Sequence, residues 1–295
     1  MYYGLILLSV AMFGGCFALS DVYRKQRGSG LIISMESAFV GSAASIVFLA
    51  LFNGLQLAFT PFTLVMALLA ALDGIAFAVF TFRALDSVNL SVFSVFSMLG
   101  GMVLPSLLGI FFYNEEFTLA KALCFLFIFI ALALTVQRGE GKGGLFCCFG
   151  IFILNGLSGV ITKLFNELPF PRADAASYSM WGALWTVALS GALWLILFFK
   201  QKNQKEEGAS RYTLRTFAVA AANGSLNKIA NFILVLALVH VDASVQYPMV
   251  TGGVMVVSTL LCFFGERKPS KKELLSVVFA FLGTLFLFVI PLWVH

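Results

Sequence analysis

Apolar stretches long enough to cross a lipid bilayer follow one another along almost the whole of this chain. A hydrocarbon layer of about 30 Å is spanned by roughly 20 helical residues rising about 1.5 Å each. Breaking the 295-residue sequence at its charged, glycine-rich and proline-bearing interruptions leaves ten candidates, at residues 3–20, 31–52, 62–82, 90–112, 119–136, 143–165, 174–199, 213–239, 243–264 and 272–292. With 60% hydrophobic and 11% charged residues, the composition lies far from that of a water-soluble domain. The pattern predicts an all-α integral membrane protein of ten transmembrane helices embedded in a lipid bilayer. The longest connection, KQKNQKEEGAS at residues 200–210, leaves no room for a separate domain.

A net charge of +5 does not point to nucleic acid, because the basic residues occupy short connections between apolar runs. Of the 19 Lys and Arg residues, fifteen follow candidate helices 1, 3, 5, 7 and 9, and three (Lys121, Lys163, Arg172) lie on the opposite side; Lys228 is inside a span. Short basic connections stay cytoplasmic. A multi-pass protein of the plasma (inner) membrane with both termini non-cytoplasmic is therefore expected. The five cysteines (Cys16, Cys124, Cys147, Cys148, Cys262) sit in apolar segments without metal-ligand spacing, so they read as small core residues, and no cofactor or metal is expected. Residues 3–20 lack a basic leader and a small-residue cleavage site and read as a retained first helix.

The chain also repeats itself. ALDSVNLSVFSVFSMLGGMV (84–103) lies over ALVHVDASVQYPMVTGGVMV (237–256), with AL, V, SV and a glycine pair at matching offsets. Each is followed by an acidic turn, YNEEFTLAKAL and FGERKPSKKEL, and another apolar span; Gly15 similarly matches Gly156. The repeats divide the chain into 1–140 and 141–295. Five spans per copy is an odd number, so the second copy must be inverted in the membrane, an architecture that secondary transporters use to alternate around a central site.

These features resemble the drug/metabolite transporter superfamily, specifically its ten-helix, EamA-type members. Pro105, Gly109 and Glu115 in LPSLLGIFFYNEE are similar to that family's fourth-helix signature, and Gly265 and Glu266 to its second copy, where Ser258 stands near the proline position. The resemblance implies alternating access for a small-molecule substrate such as an amino acid, sugar or nucleoside-like metabolite, with export the commoner direction. The first span has no carboxylate, unlike the family's small four-helix multidrug members, which disfavours exchange of hydrophobic cations for protons.

Within this apolar setting a few polar residues stand out. AANGSLNKIANF (221–232) places Asn223, Asn227 and Asn231 four apart on one helix face, beside Lys228. A lysine at the centre of a membrane helix costs about 2.5–3.5 kcal/mol on insertion scales. Such a face must meet other helices or water, as the wall of a substrate site or as an interhelical seam. Asp73, mid-way along candidate helix 3, is the repeat-related acid, and an Asp73–Lys228 ion pair is expected in the empty site. Asn155, Gln246, Tyr247 and Trp181 complete the substrate-site candidates, around a cavity lined by helices 1, 3, 4, 6, 8 and 9. Glu36, near one end of the second span, is a candidate proton-coupling carboxylate, with a terminal hydrogen bond to a neighbouring helix as the alternative.

Two rival classes are weighed. A channel or non-transporting receptor shares a polar interior but needs no alternation between repeats. GLSG (156–159) matches the serine motif of intramembrane proteases, with His240 as an imaginable base, but the motif is cheap in close-packed helices and His240 falls at a helix end. The expectation is a non-enzymatic carrier, monomeric or homodimeric, with protons as a candidate coupling ion.

Overall fold

The computed structural model describes residues 2–52, 56–113, 116–135, 142–202, 213–238, 241, 243–265 and 268–294. Among them ten helices run in the order α1 (Tyr2–Arg27), α2 (Leu31–Phe52), α3 (Pro61–Ser87), α4 (Leu90–Phe112), α5 (Leu119–Thr135), α6 (Lys142–Glu167), α7 (Ala175–Lys202), α8 (Leu214–Leu238), α9 (Ala243–Cys262) and α10 (Lys271–Val294). Six stretches are long and apolar enough to cross a membrane: Tyr2–Arg27, Leu31–Leu51, Pro61–Ser87, Leu90–Phe112, Gly144–Glu167 and Ala175–Lys200. They are compatible with a multi-pass membrane protein. Asn223, Asn227, Lys228 and Asn231 interrupt the apolar run of α8, which is not among them.

Local chemistry sets the helix ends. Thr60 caps α3 by accepting from the Thr63 amide, with Pro61 at the first position, where its missing N–H costs nothing. Asn89 caps α4 through the Val92 amide. The chain reverses between α1 and α2 at Gly28, whose φ of +98° suits a residue without a side chain. α1 and α3 continue past the hydropathy-predicted ends at 20 and 82, to Arg27 and Ser87. The reason is that helix formation tolerates charged residues that a lipid-crossing criterion rejects.

Packing joins early helices to late ones. α1 lies against α8 and α9, and α6 against α3 and α4; α2 packs on α7 and α8, α7 also on α3, and α5 on α10. α4 is central: every residue from Leu90 to Ser97 is buried, with Phe93 and Phe96 completely so. Small residues permit the closest approaches, as where Gly224 of α8 meets the backbone of Gly41 in α2. The packing is uneven in one respect. α3 touches α1 and α2, whereas α8, among the described residues, is not packed on α6 or α7.

Candidate functional site

Four helices converge at Tyr23, in the last turns of α1. Its side chain is 1% exposed, its ring lies 5.7 Å from that of Phe82 in α3, and Val40 of α2 and Ala220 of α8 complete the cluster. α1 and α3 both finish at this layer, where Arg24 bonds Asp86 at 2.9 Å. α8 begins here and runs antiparallel to α1, as the contacts of Asn223 with Ser20 and of Ala230 with Ser9 require.

This layer fixes the depth of the two ionisable residues singled out by the sequence. Asp73 precedes Phe82 by nine residues on α3, about 14 Å of helix, and Lys228 follows Ala220 by eight on α8, about 12 Å. Both stand at nearly the same height above the Tyr23 layer and on the same side of it. Asp73 is 7% exposed, and its Oδ1 has no hydrogen-bond partner. Lys228 is half-buried and has neither a hydrogen bond nor an ion pair among the described residues. The expected Asp73–Lys228 ion pair is therefore not formed among the described residues.

Other groups flank the pair. Tyr178 of α7 stacks on Phe165 of α6 at 4.2 Å. Ser158, Thr162 and Asn166, four apart on α6, are exposed. The buried indole N–H of Trp185 also lacks a partner. On α8, Asn231 is exposed and donates to the Asn227 carbonyl at 2.8 Å and to its side-chain oxygen at 3.2 Å.

The remaining sequence candidates have other surroundings. Asn155 donates to the Ser97 carbonyl at 2.6 Å, joining α6 to α4, and Asn223 donates to the Ser20 hydroxyl at 3.0 Å, joining α8 to α1. These two amides are engaged in helix seams. Trp181 donates to the Ala58 carbonyl at 3.0 Å, anchoring the segment before α3. The side chains of Gln246 and Tyr247 lie outside the described residues, as do Glu115, Glu266 and His240. Glu36 is 7% exposed and receives bonds from Tyr23 (2.6 Å) and from Arg27 (3.1 and 2.8 Å). Nothing in the hydropathy pattern points to the Tyr23–Phe82–Ala220 layer; the available signal is the four-residue spacing of Tyr23 and Arg27, one turn apart on α1.

Chemically, a buried carboxylate oxygen and an ammonium, both without partners among the described residues and at matched depth on separate helices, leave hydrogen-bonding and charge valences unfilled. An unpaired polar group in a low-dielectric interior costs free energy.

No family model matches the chain, and no curated protein does. Among solved structures, one described only as the crystal structure of a protein aligns over 96% of this chain and 98% of that one, with a TM-score of 0.60 and 16% identity. This likeness extends over nearly the full length and concerns the fold alone.

Proposed function

We propose that this chain is a secondary carrier of the drug/metabolite transporter superfamily, moving a small polar metabolite across the plasma membrane by alternating access. The observation that carries the reading is the pair of ionisable groups, Asp73 and Lys228, at matched depth and without partners among the described residues. The helix pairings support two inverted repeats: contacts of α1 with α8 and α9 are answered by those of α6 with α3 and α4, and α2 on α8 by α7 on α3. Exchange of equivalent helices across a pseudo-twofold axis produces this pattern.

The uneven packing supports a state with one mouth closed. α3 is held against α1 and α2 at the Tyr23 layer, while α8, among the described residues, is at most sparsely packed on α6 and α7. The closed mouth lies at the end where Arg24, Lys25 and Arg27 cluster, which the basic-residue rule assigns to the cytoplasm. The polar faces at Thr162, Asn166 and Asn231 would then border the opposite entrance. The opposed charges favour a substrate that is zwitterionic or uncharged and polar over a simple ion.

Counterflow in proteoliposomes tests the proposal. Unlabelled substrate trapped inside accelerates uptake of the labelled compound through a carrier. A channel or a receptor gives no acceleration, and that result would remove the carrier reading.

A further inference from the structure

We propose that Tyr23, Glu36 and Arg27 form a latch that holds the mouth at the end of α1 closed, with Tyr23 as its plug. The proposal rests on the carrier reading for its purpose, but its geometry is independent of any substrate. Glu36, at the start of α2, has both oxygens engaged: the Tyr23 hydroxyl and Arg27 Nε donate to one, and a second Arg27 nitrogen donates to the other at 2.8 Å. The pair is shielded, each side chain being 9% exposed. The Tyr23 hydroxyl is thus fixed to α2 while its ring fills the space between Phe82 of α3 and Ala220 of α8. One side chain couples a buried polar cluster to the apolar seal beneath Asp73 and Lys228.

Around this triad, Arg24 spans Asp21 and Asp86, Lys25 reaches Asp21 at 3.1 Å, and the Ser29 hydroxyl donates to Asp86 at 3.1 Å. Asp86 is 55% exposed, and ion pairs so open to solvent contribute little. The shielded triad is the part able to bias a conformational equilibrium. At the other end of the bundle, Arg172 donates to the carbonyls of Phe165 and Asn166 in its own segment, and Lys163 lies over the Tyr113 ring at 5.4 Å. Opening the latched mouth requires the Tyr23 ring to leave Phe82 and Ala220, and the Glu36 bond opposes that rotation.

The experiment places a cysteine at the seal, Ala220→Cys, and follows its modification by a membrane-impermeant methanethiosulfonate applied from the side of the α1 C-terminus. Peptide mass spectrometry reads residue 220 separately from the five native cysteines. Modification is expected to be slow in this background and at least about tenfold faster when Tyr23→Phe or Glu36→Gln is added, as a shift in the open population requires. Exchanging the charges, Arg27→Glu with Glu36→Arg, is expected to restore part of the protection lost in either single reversal. Unchanged protection in Tyr23→Phe, which removes only a hydroxyl and decides the matter if Glu36→Gln fails to fold, would overturn the latch. Failure of counterflow with the labelling pattern intact would remove the carrier reading alone.

Discussion

Gly224 of α8 lies directly on the backbone of Gly41 in α2, so close that a Cβ on Gly224 would collide with the Gly41 carbonyl. This contact lets α8 approach α2 tightly just above the Tyr23 layer, and it positions Lys228 one turn further along. Gly224→Ala is expected to destabilise the fold by about 1–3 kcal/mol through overpacking against unyielding backbone. Gly74 in α3 is the control: nothing stands within 4 Å of its would-be Cβ, and alanine favours a helix interior by about 1 kcal/mol. Thermal melts of the two variants should therefore move in opposite directions.

Asn89 serves two helices at once. Its oxygen caps α4 through the Val92 amide at 3.0 Å, and its nitrogen donates to Glu273 of α10 at 2.8 Å. Glu273 is buried and also accepts from the Ser270 amide at 2.6 Å. Asn89→Ala removes the cap and one partner of a buried carboxylate, with an expected cost of about 1–3 kcal/mol. Asn89→Ser keeps the cap alone and should recover part of the loss in the same melting assay.

Asp174 provides a pH-dependent contribution at the start of α7. Slight desolvation at this exposed position works against its charge, but Ser177 donates to it from both backbone (2.9 Å) and hydroxyl (2.7 Å), and these bonds hold the carboxyl below its ordinary value. A depressed folded value means the stabilisation is complete above the unfolded value of about 3.9 and fades as pH falls through the folded one. Asp174→Ala should cost about 0.5–2 kcal/mol near neutral pH, as loss of a helix cap does. The gap between the two melting curves should narrow in acid; a gap that persists unchanged well below the unfolded value contradicts the assignment.

Much of the architecture was legible because long apolar runs mark where the helices lie, though not always where they end. The spans expected at 31–52 and 90–112 coincide with α2 and α4. Asp73 and Lys228 stand out in the sequence, since a charge in an apolar run needs an explanation, but the ion pair expected between them is not formed among the described residues. Tyr23, Glu36 and Arg27 were not legible as a unit: hydropathy stops at the first charges after Ser20, and the added turns of α1 that carry Tyr23 and Arg27 lie beyond that stop. The asparagine face of α8 was only partly readable. Spacing gives the face, but whether an amide meets a seam or a space depends on neighbours, and Asn223 found Ser20 while Asn231 stayed exposed.

The most direct measurement is uptake by Asp73→Asn and Lys228→Met in proteoliposomes, alongside wild type and with insertion and folding verified. If the two groups hold the substrate together, each substitution should lower uptake at least about tenfold, the equivalent of about 1.4 kcal/mol of lost interaction. Correctly inserted, folded variants that both transport at the wild-type rate would contradict the shared site.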